Sequence, residues 1–180
     1  MTTIDFIRLS DLATDAEGLQ QQLESLPKPY AVRGRKVPAD LNGLTMGELM
    51  RLQSISTTED FILVPCEILL RLSKDKTLKA EASEVLGFSY WVAHEVKHIN
   101  KLFASTSVPA TAEEKAAGSD ALNFGPFGLV DYYARRMGIT DHEEVESVPW
   151  VRVYKCLDMD AKRMMFDRKL KIELMKKTRR

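Results

Sequence analysis

The 180-residue chain carries 26 basic and 26 acidic residues, so its formal net charge at neutral pH is zero, and 44% of it is hydrophobic. That length suits one domain, or one domain with an arm, able to bury a substantial core, and the balanced charge gives the whole molecule no electrostatic case for nucleic acid or membrane. Two cysteines, Cys66 and Cys156, are too few and too far apart in sequence for a disulfide framework or a metal site.

At the start, MTTIDFIRLSDL shows no basic segment followed by an apolar run, which predicts a chain without a secretory leader, soluble and cytoplasmic. Residues 4–12 have no clear period. Leu19, Leu23 and Leu26, spaced i, i+4, i+7, predict a brief amphipathic helix entered near Thr14 or Asp15 and ended by Pro27 and Pro29. Residues 30–37, YAVRGRKV, read as two short strands about a turn at Arg33-Gly34, closed by Pro38.

From there the pattern is helical. Thr45 with Glu48, Ser56 with Glu59, Thr111 with Glu114 and Thr140 with Glu143 are four capping-box spacings, in which hydroxyl and carboxylate each satisfy a backbone N–H that the helix leaves free. Met46, Leu49, Met50 and Leu52 follow the first. Residues 61–72 are apolar almost all round and read as a central buried helix, kinked or divided at Pro65, too short at 61–66 to span a bilayer. After a polar connection at 74–77 the pattern resumes at Leu78 and runs to Phe103, with a break expected at Gly87. Phe127, Val130, Ala134 and Met137 share a helical face that Gly138 stops, and Ser147 with Pro149 marks one more start. The small residues Ala116, Ala117, Gly118 and Ala121 read as close helix packing.

The fold class expected is mainly α: a compact helical domain with a short N-terminal β-hairpin and a long basic C-terminal helix. Within a single domain 1–180, residues 1–40 form an arm with the hairpin, 41–157 the helical core, and 158–180 a basic amphipathic helix. From residue 161 onward nine basic residues face only Asp167 and Glu173, interleaved with Met164, Met165, Phe166, Leu170, Ile172, Leu174 and Met175.

His94-Glu-Val-Lys-His98 matches H-E-x-x-H, the pattern in which two histidines one turn apart hold zinc and the glutamate activates water. The reading here is an ordinary helix, with no metal, no cofactor and no catalytic residue. On a helical projection both histidines lie on the polar flank of a stripe formed by Trp91, Val92, Val96, Ile99, Leu102 and Phe103. A third ligand is available only from His142 or from Glu113 and Glu114, and Lys97 places a cation beside the metal. Glu95, near the middle of that stripe, is expected to meet an arginine or lysine, since an unpaired buried charge is too costly.

The segments at 111–136 (TAEEKAAGSDALNFGPFGLVDYYARR) and 141–157 (DHEEVESVPWVRVYKCL), with 41–55 (LNGLTMGELMRLQSI), resemble a tail assembly chaperone of a tailed phage or prophage. The resemblance implies a small helical protein that binds the tape-measure protein, a long aggregation-prone helical chain, and keeps it soluble while tail subunits assemble. The expected partner is therefore a helical protein chain rather than a membrane or nucleic acid. The expected contact residues are Met164, Met165, Phe166, Leu170 and Leu174, on a surface whose flexible methionines suit varied apolar segments. The alternatives are a nucleic-acid-binding accessory protein using the basic tail and an H-E-x-x-H zinc hydrolase.

Overall fold

A computed structural model describes residues 1–10, 16–122 and 124–178. The protein is mainly α, with one two-stranded antiparallel hairpin among the described residues. Contacts divide the chain into two compact units, one of Met1–Gly43 with Glu48–His98, the other of Leu44–Gly47 with Ile99–Arg180. This division follows contacts and differs from the compositional boundaries at residues 40 and 157.

The first unit opens with helix α1 (Thr3–Ser10), where the sequence showed no clear period. Its start is fixed by Thr2, which bonds the Asp5 carboxylate and accepts the Asp5 N–H, a reciprocal pairing at i, i+3. Buried Thr3 sends both its N–H (2.9 Å) and its hydroxyl (3.1 Å) to the Ala80 carbonyl, so the first turn is tied down. Helix α2 (Ala16–Glu24) follows. The entry expected at Thr14 or Asp15, and the Leu19 side chain, lie outside the described residues.

Strands β1 (Ala31–Val32) and β2 (Arg35–Lys36) pair about Arg33-Gly34 as expected. Both turn residues have positive φ, 47° and 73°, the twist that a two-residue hairpin needs. Glycine takes this conformation freely; Arg33 is held in it by its own N–H bond to Glu84 (3.2 Å).

Helix α3 (Met46–Gln53) crosses the unit boundary at its first turn, and α4 (Thr58–Leu70) lies wholly in the first unit. The cap of α4 is Thr57, accepting from the Asp60 N–H, one residue later than the Ser56–Glu59 box predicted. The helix runs unbroken through Pro65, whose missing N–H removes one bond from the ladder but does not divide it, because the flanking side chains Ile62, Cys66 and Ile68 are buried and hold both halves in place. It ends at Leu70, with Arg71 left-handed at its C-cap. Residues 74–77, expected as a connection, belong to a one-turn helix α5 (Lys74–Leu78).

Helix α6 (Ala82–Ser105) passes through Gly87 without a break. The glycine serves a close approach: a Cβ built there stands 2.7 Å from the Pro27 carbonyl oxygen. Phe88, Val92, Val96 and Ile99 form the buried stripe of α6, whereas Trp91, Glu95, Leu102 and Phe103 are half-buried on its flanks. The sequence projection had therefore placed the stripe's centre too far round.

In the second unit, α7 (Ala112–Ala116) has the full reciprocal box of Thr111 and Glu114. A 3-10 turn (Ser119–Ala121) leads to α8 (Gly125–Met137), stopped by left-handed Gly138. Only Val130 and Ala134 of the predicted four-residue face are buried; Phe127 and Met137 are exposed and Tyr133 replaces them inside. Helix α9 (His142–Glu146) is capped by Asp141 accepting from the Glu143 N–H, not by Thr140. Ser147 ends α9 rather than starting the next helix. Pro149 forms an isolated antiparallel bridge with Thr45, fastened by Met46 N–H to Val148 O (2.8 Å) and Trp150 N–H to Leu44 O (3.2 Å). Helix α10 (Trp150–Thr178) then runs 29 residues.

Candidate functional site

Helix α10 changes character along its length. In its first turn Trp150 and Val153 are buried, and the rings of Trp150 and Tyr154 pack on Phe103 at centroid distances of 6.0 and 5.7 Å. Nearly two turns beyond Tyr154, Asp160 accepts from Arg136 Nε (2.7 Å), Arg136 Nη2 (3.2 Å) and the Tyr132 hydroxyl (2.5 Å). The guanidinium bonded to it, with the phenol, holds the Asp160 carboxyl below the usual carboxylate range; burial and the same carboxylate push the Tyr132 phenol up. These bonds fix α10 against α8.

A further anchor is Arg168. Its guanidinium donates to the Pro109 carbonyl (2.7 Å) and to both oxygens of Glu114 (2.8 and 3.1 Å), the same carboxylate that completes the cap of α7. Two shallow concavities flank this stretch. One of about 370 Å³ is lined by Ser107, Pro109, Ala161, Met165 and Phe166, the other of about 480 Å³ by Glu114, Met164, Asp167 and Lys171.

From Lys162 to Lys177 every residue except Arg168 is exposed. The five expected contact residues, Met164, Met165, Phe166, Leu170 and Leu174, are thus brought onto one helix and leave between 39% (Met165) and 63% (Phe166) of their surface open. Ile172 and Met175, also part of the apolar pattern in the sequence, are exposed with them. Scattered exposed apolar side chains are ordinary; seven within twelve residues of one helix are a concentration, although at helical spacing they are distributed round it rather than gathered on one face.

Charge is segregated in the same way. The nine basic and two acidic residues of 161–180 leave 17 basic against 24 acidic in the rest, so the tail carries seven net positive charges and the remainder seven net negative.

The H-E-x-x-H segment lies on α6, with His94 and His98 exposed. Glu95 approaches His94 Nδ1 at 3.8 Å, and among the described residues this replaces the arginine or lysine expected against it. Of the candidate third ligands, Glu114 bonds Arg168, and His142 lies 3.9 Å from Asp131 and packs T-shaped with the Phe127 ring. Among the described residues no three His, Cys, Asp or Glu side chains are grouped so as to hold a metal ion, and no helix is long and apolar enough to cross a membrane.

The first unit has its own recess of about 570 Å³, lined by Ile4, Phe6, Ile7, Leu23, Phe61 and Leu86, with Arg8 and the Lys74–Glu59 ion pair (2.5 Å) beside it. No protein-family model, curated protein or solved structure matches the chain.

Proposed function

We propose that this protein is a binding module of the tail-assembly-chaperone kind, which holds a helical, aggregation-prone chain such as a tape-measure protein through the distal half of α10. The observation that carries the reading is the run of solvent-open apolar side chains from Met164 to Met175 on a helix whose near end is firmly anchored. Anchoring at Asp160 and Arg168 presents the distal turns without asking the partner to order the whole helix, which lowers the entropic cost of binding. Thioether side chains adapt to partners of varied shape, as a chaperone surface requires.

The net positive tail also favours an alternative, a nucleic-acid-binding accessory protein. Such binding weakens steeply with salt and uses aromatic side chains to stack on bases, but this stretch offers Phe166 alone among apolar neighbours.

The test is co-expression with a tape-measure-like helical chain, read as the fraction of that chain kept in the supernatant. The full-length protein should retain it. A form ending at Arg168 should lose that capacity while melting within about 2 °C of the parent, because the residues from Lys169 to Lys177 are all exposed. Equal protection by the shortened form would show that the distal turns are not the contact, and a fall of many degrees in its melting temperature would show that they are structural.

A further inference from the structure

In the first unit, α1, α2, α4, α5 and α6 all contribute side chains to the recess of about 570 Å³. Its floor is the buried pair Ile62 and Leu86, and its walls are the half-buried Ile4, Ile7, Leu23 and Leu78. Arg8 near the end of α1, Thr58 and Glu59 in the first turn of α4, and Lys74 at the start of α5 are exposed and form its rim. Lys74 bonds Glu59 at 2.5 Å, which cancels that acid, and Arg8 has no ion pair among the described residues, so the rim carries one net positive charge. Phe61 and Tyr90, T-shaped with ring centroids 5.0 Å apart, also line a second recess of about 530 Å³ with Leu26, Trp91 and Lys97. The two rings are thus a partition between the recesses.

We propose that this recess binds a medium-chain carboxylate, with the hydrocarbon tail among the isoleucines and leucines and the carboxylate against Arg8 and the Thr58 hydroxyl. The volume lies in the range of about 300–1,000 Å³ usual for small-molecule sites, and an apolar lining with a few polar groups at its edge suits an amphiphile. Burial of methylenes supplies the affinity, and the guanidinium fixes the head group. A phosphate monoester suits the rim less well, because it brings a second negative charge beside Glu59. A protein partner needs about 800 Å² of contact on each side, whereas here the apolar surface is sunk within a charged rim. The Phe61–Tyr90 partition sets the length of tail that fits. The site lies wholly in the first unit and does not depend on α10.

The experiment is calorimetric titration of the full chain with hexanoate, octanoate, decanoate, tetradecanoate and decanol, each kept below its micelle or solubility limit. Decanoate should bind at one equivalent per chain, and affinity should rise roughly threefold to fourfold per methylene up to decanoate, with no further gain at tetradecanoate. Arg8→Gln should weaken decanoate roughly fivefold and leave decanol unchanged. Leu23→Trp should fill the recess and abolish binding, and Tyr90→Ala should open the partition so that tetradecanoate binds about tenfold more tightly than decanoate. Circular dichroism checks that the variants fold; Arg8 is exposed, so its variant keeps the test open if Leu23→Trp does not. The form ending at Arg168 should bind decanoate as the parent does, which separates this result from the fate of the proposed function. Absence of saturable decanoate binding overturns the inference, as does binding unchanged by Arg8→Gln or by a folded Leu23→Trp. If the parent takes no decanoate and folded Leu23→Trp fails to protect the co-expressed chain, the inference is overturned in favour of a protein side chain as the occupant.

Discussion

A methyl group has no room at Gly87, where the Pro27 carbonyl oxygen would stand 2.7 Å from it. Alanine is the better helix former by about 1 kcal/mol, so sequence alone makes Gly87→Ala favourable; the backbone clash reverses the sign, and a net loss of about 1–3 kcal/mol should appear in urea unfolding. Gly43→Ala, with nothing within 4 Å, should change stability by less than about 0.5 kcal/mol. Cys66 is buried completely, and burial pushes its thiol up to about 12. Because the thiolate is the reactive form, a maleimide at neutral pH should spare Cys66 in the folded protein and label it only after denaturation, whereas half-buried Cys156 is the thiol modified first. Asp160 supplies a pH dependence. Its folded carboxyl is depressed by Arg136 and Tyr132, so its stabilisation is present above the unfolded value near 4 and is lost as pH falls through the folded one. Asp160→Asn should therefore cost about 1 kcal/mol at pH 7, discounted for its partial exposure, and the gap from the parent should narrow as pH falls below the unfolded value near 4. None of these three sites was legible in the sequence as a partnership: Gly87 looked like a helix break, and Asp160 one acid among many, because each meaning is set by residues far along the chain.

Among the elements, legibility followed how local the signal was. The Arg33-Gly34 hairpin and the Thr111–Glu114 box need only neighbouring residues, and both stand where the sequence placed them. The caps of α4 and α9 were displaced by one residue because Thr57 and Asp141 sit beside equally plausible Ser56 and Thr140, and tertiary packing chooses between them. Helix α1 was missed although Thr2 and Asp5 spell a short box; its stability comes from the Thr3–Ala80 bonds, which no window of sequence contains. The expected stripe of α6 included Trp91 and Phe103 and left out Phe88 for a related reason. Phe88 is the completely buried ring of α6, while Trp91 and Phe103 are only half-buried. Phe88→Ala should accordingly cost about 3–5 kcal/mol in thermal or urea unfolding, and Trp91→Ala clearly less, since its indole is only half-buried, even though the Lys28 ammonium 3.6 Å above it is given up as well. As for the candidate site, the apolar pattern of the five expected residues was readable from composition and spacing, and the structure leaves all five exposed, but the Arg168–Glu114 anchor beside them was not readable.

For the molecule as a whole, a formal charge of zero conceals two opposite charges of seven, one of them concentrated in the last twenty residues. Near its isoelectric point of about 6.8 the protein has no net repulsion between copies to keep them apart. Each copy then offers a cationic end that the anionic remainder of another can accept, and such a head-to-tail contact has no symmetry that closes it. Solutions at neutral pH and very low ionic strength should therefore turn cloudy or viscous as concentration rises, and clear on adding salt to roughly 0.3 M, which shortens the screening length well below 10 Å. Light scattering against salt measures this directly. The form ending at Arg168 loses six cations and one acid, which leaves five net negative charges, and it should stay clear throughout. The basic helix end thus sets the conditions under which the protein can be concentrated at all: a purification that desalts it without first lowering its concentration invites open-ended association through the helix end that any binding assay needs free.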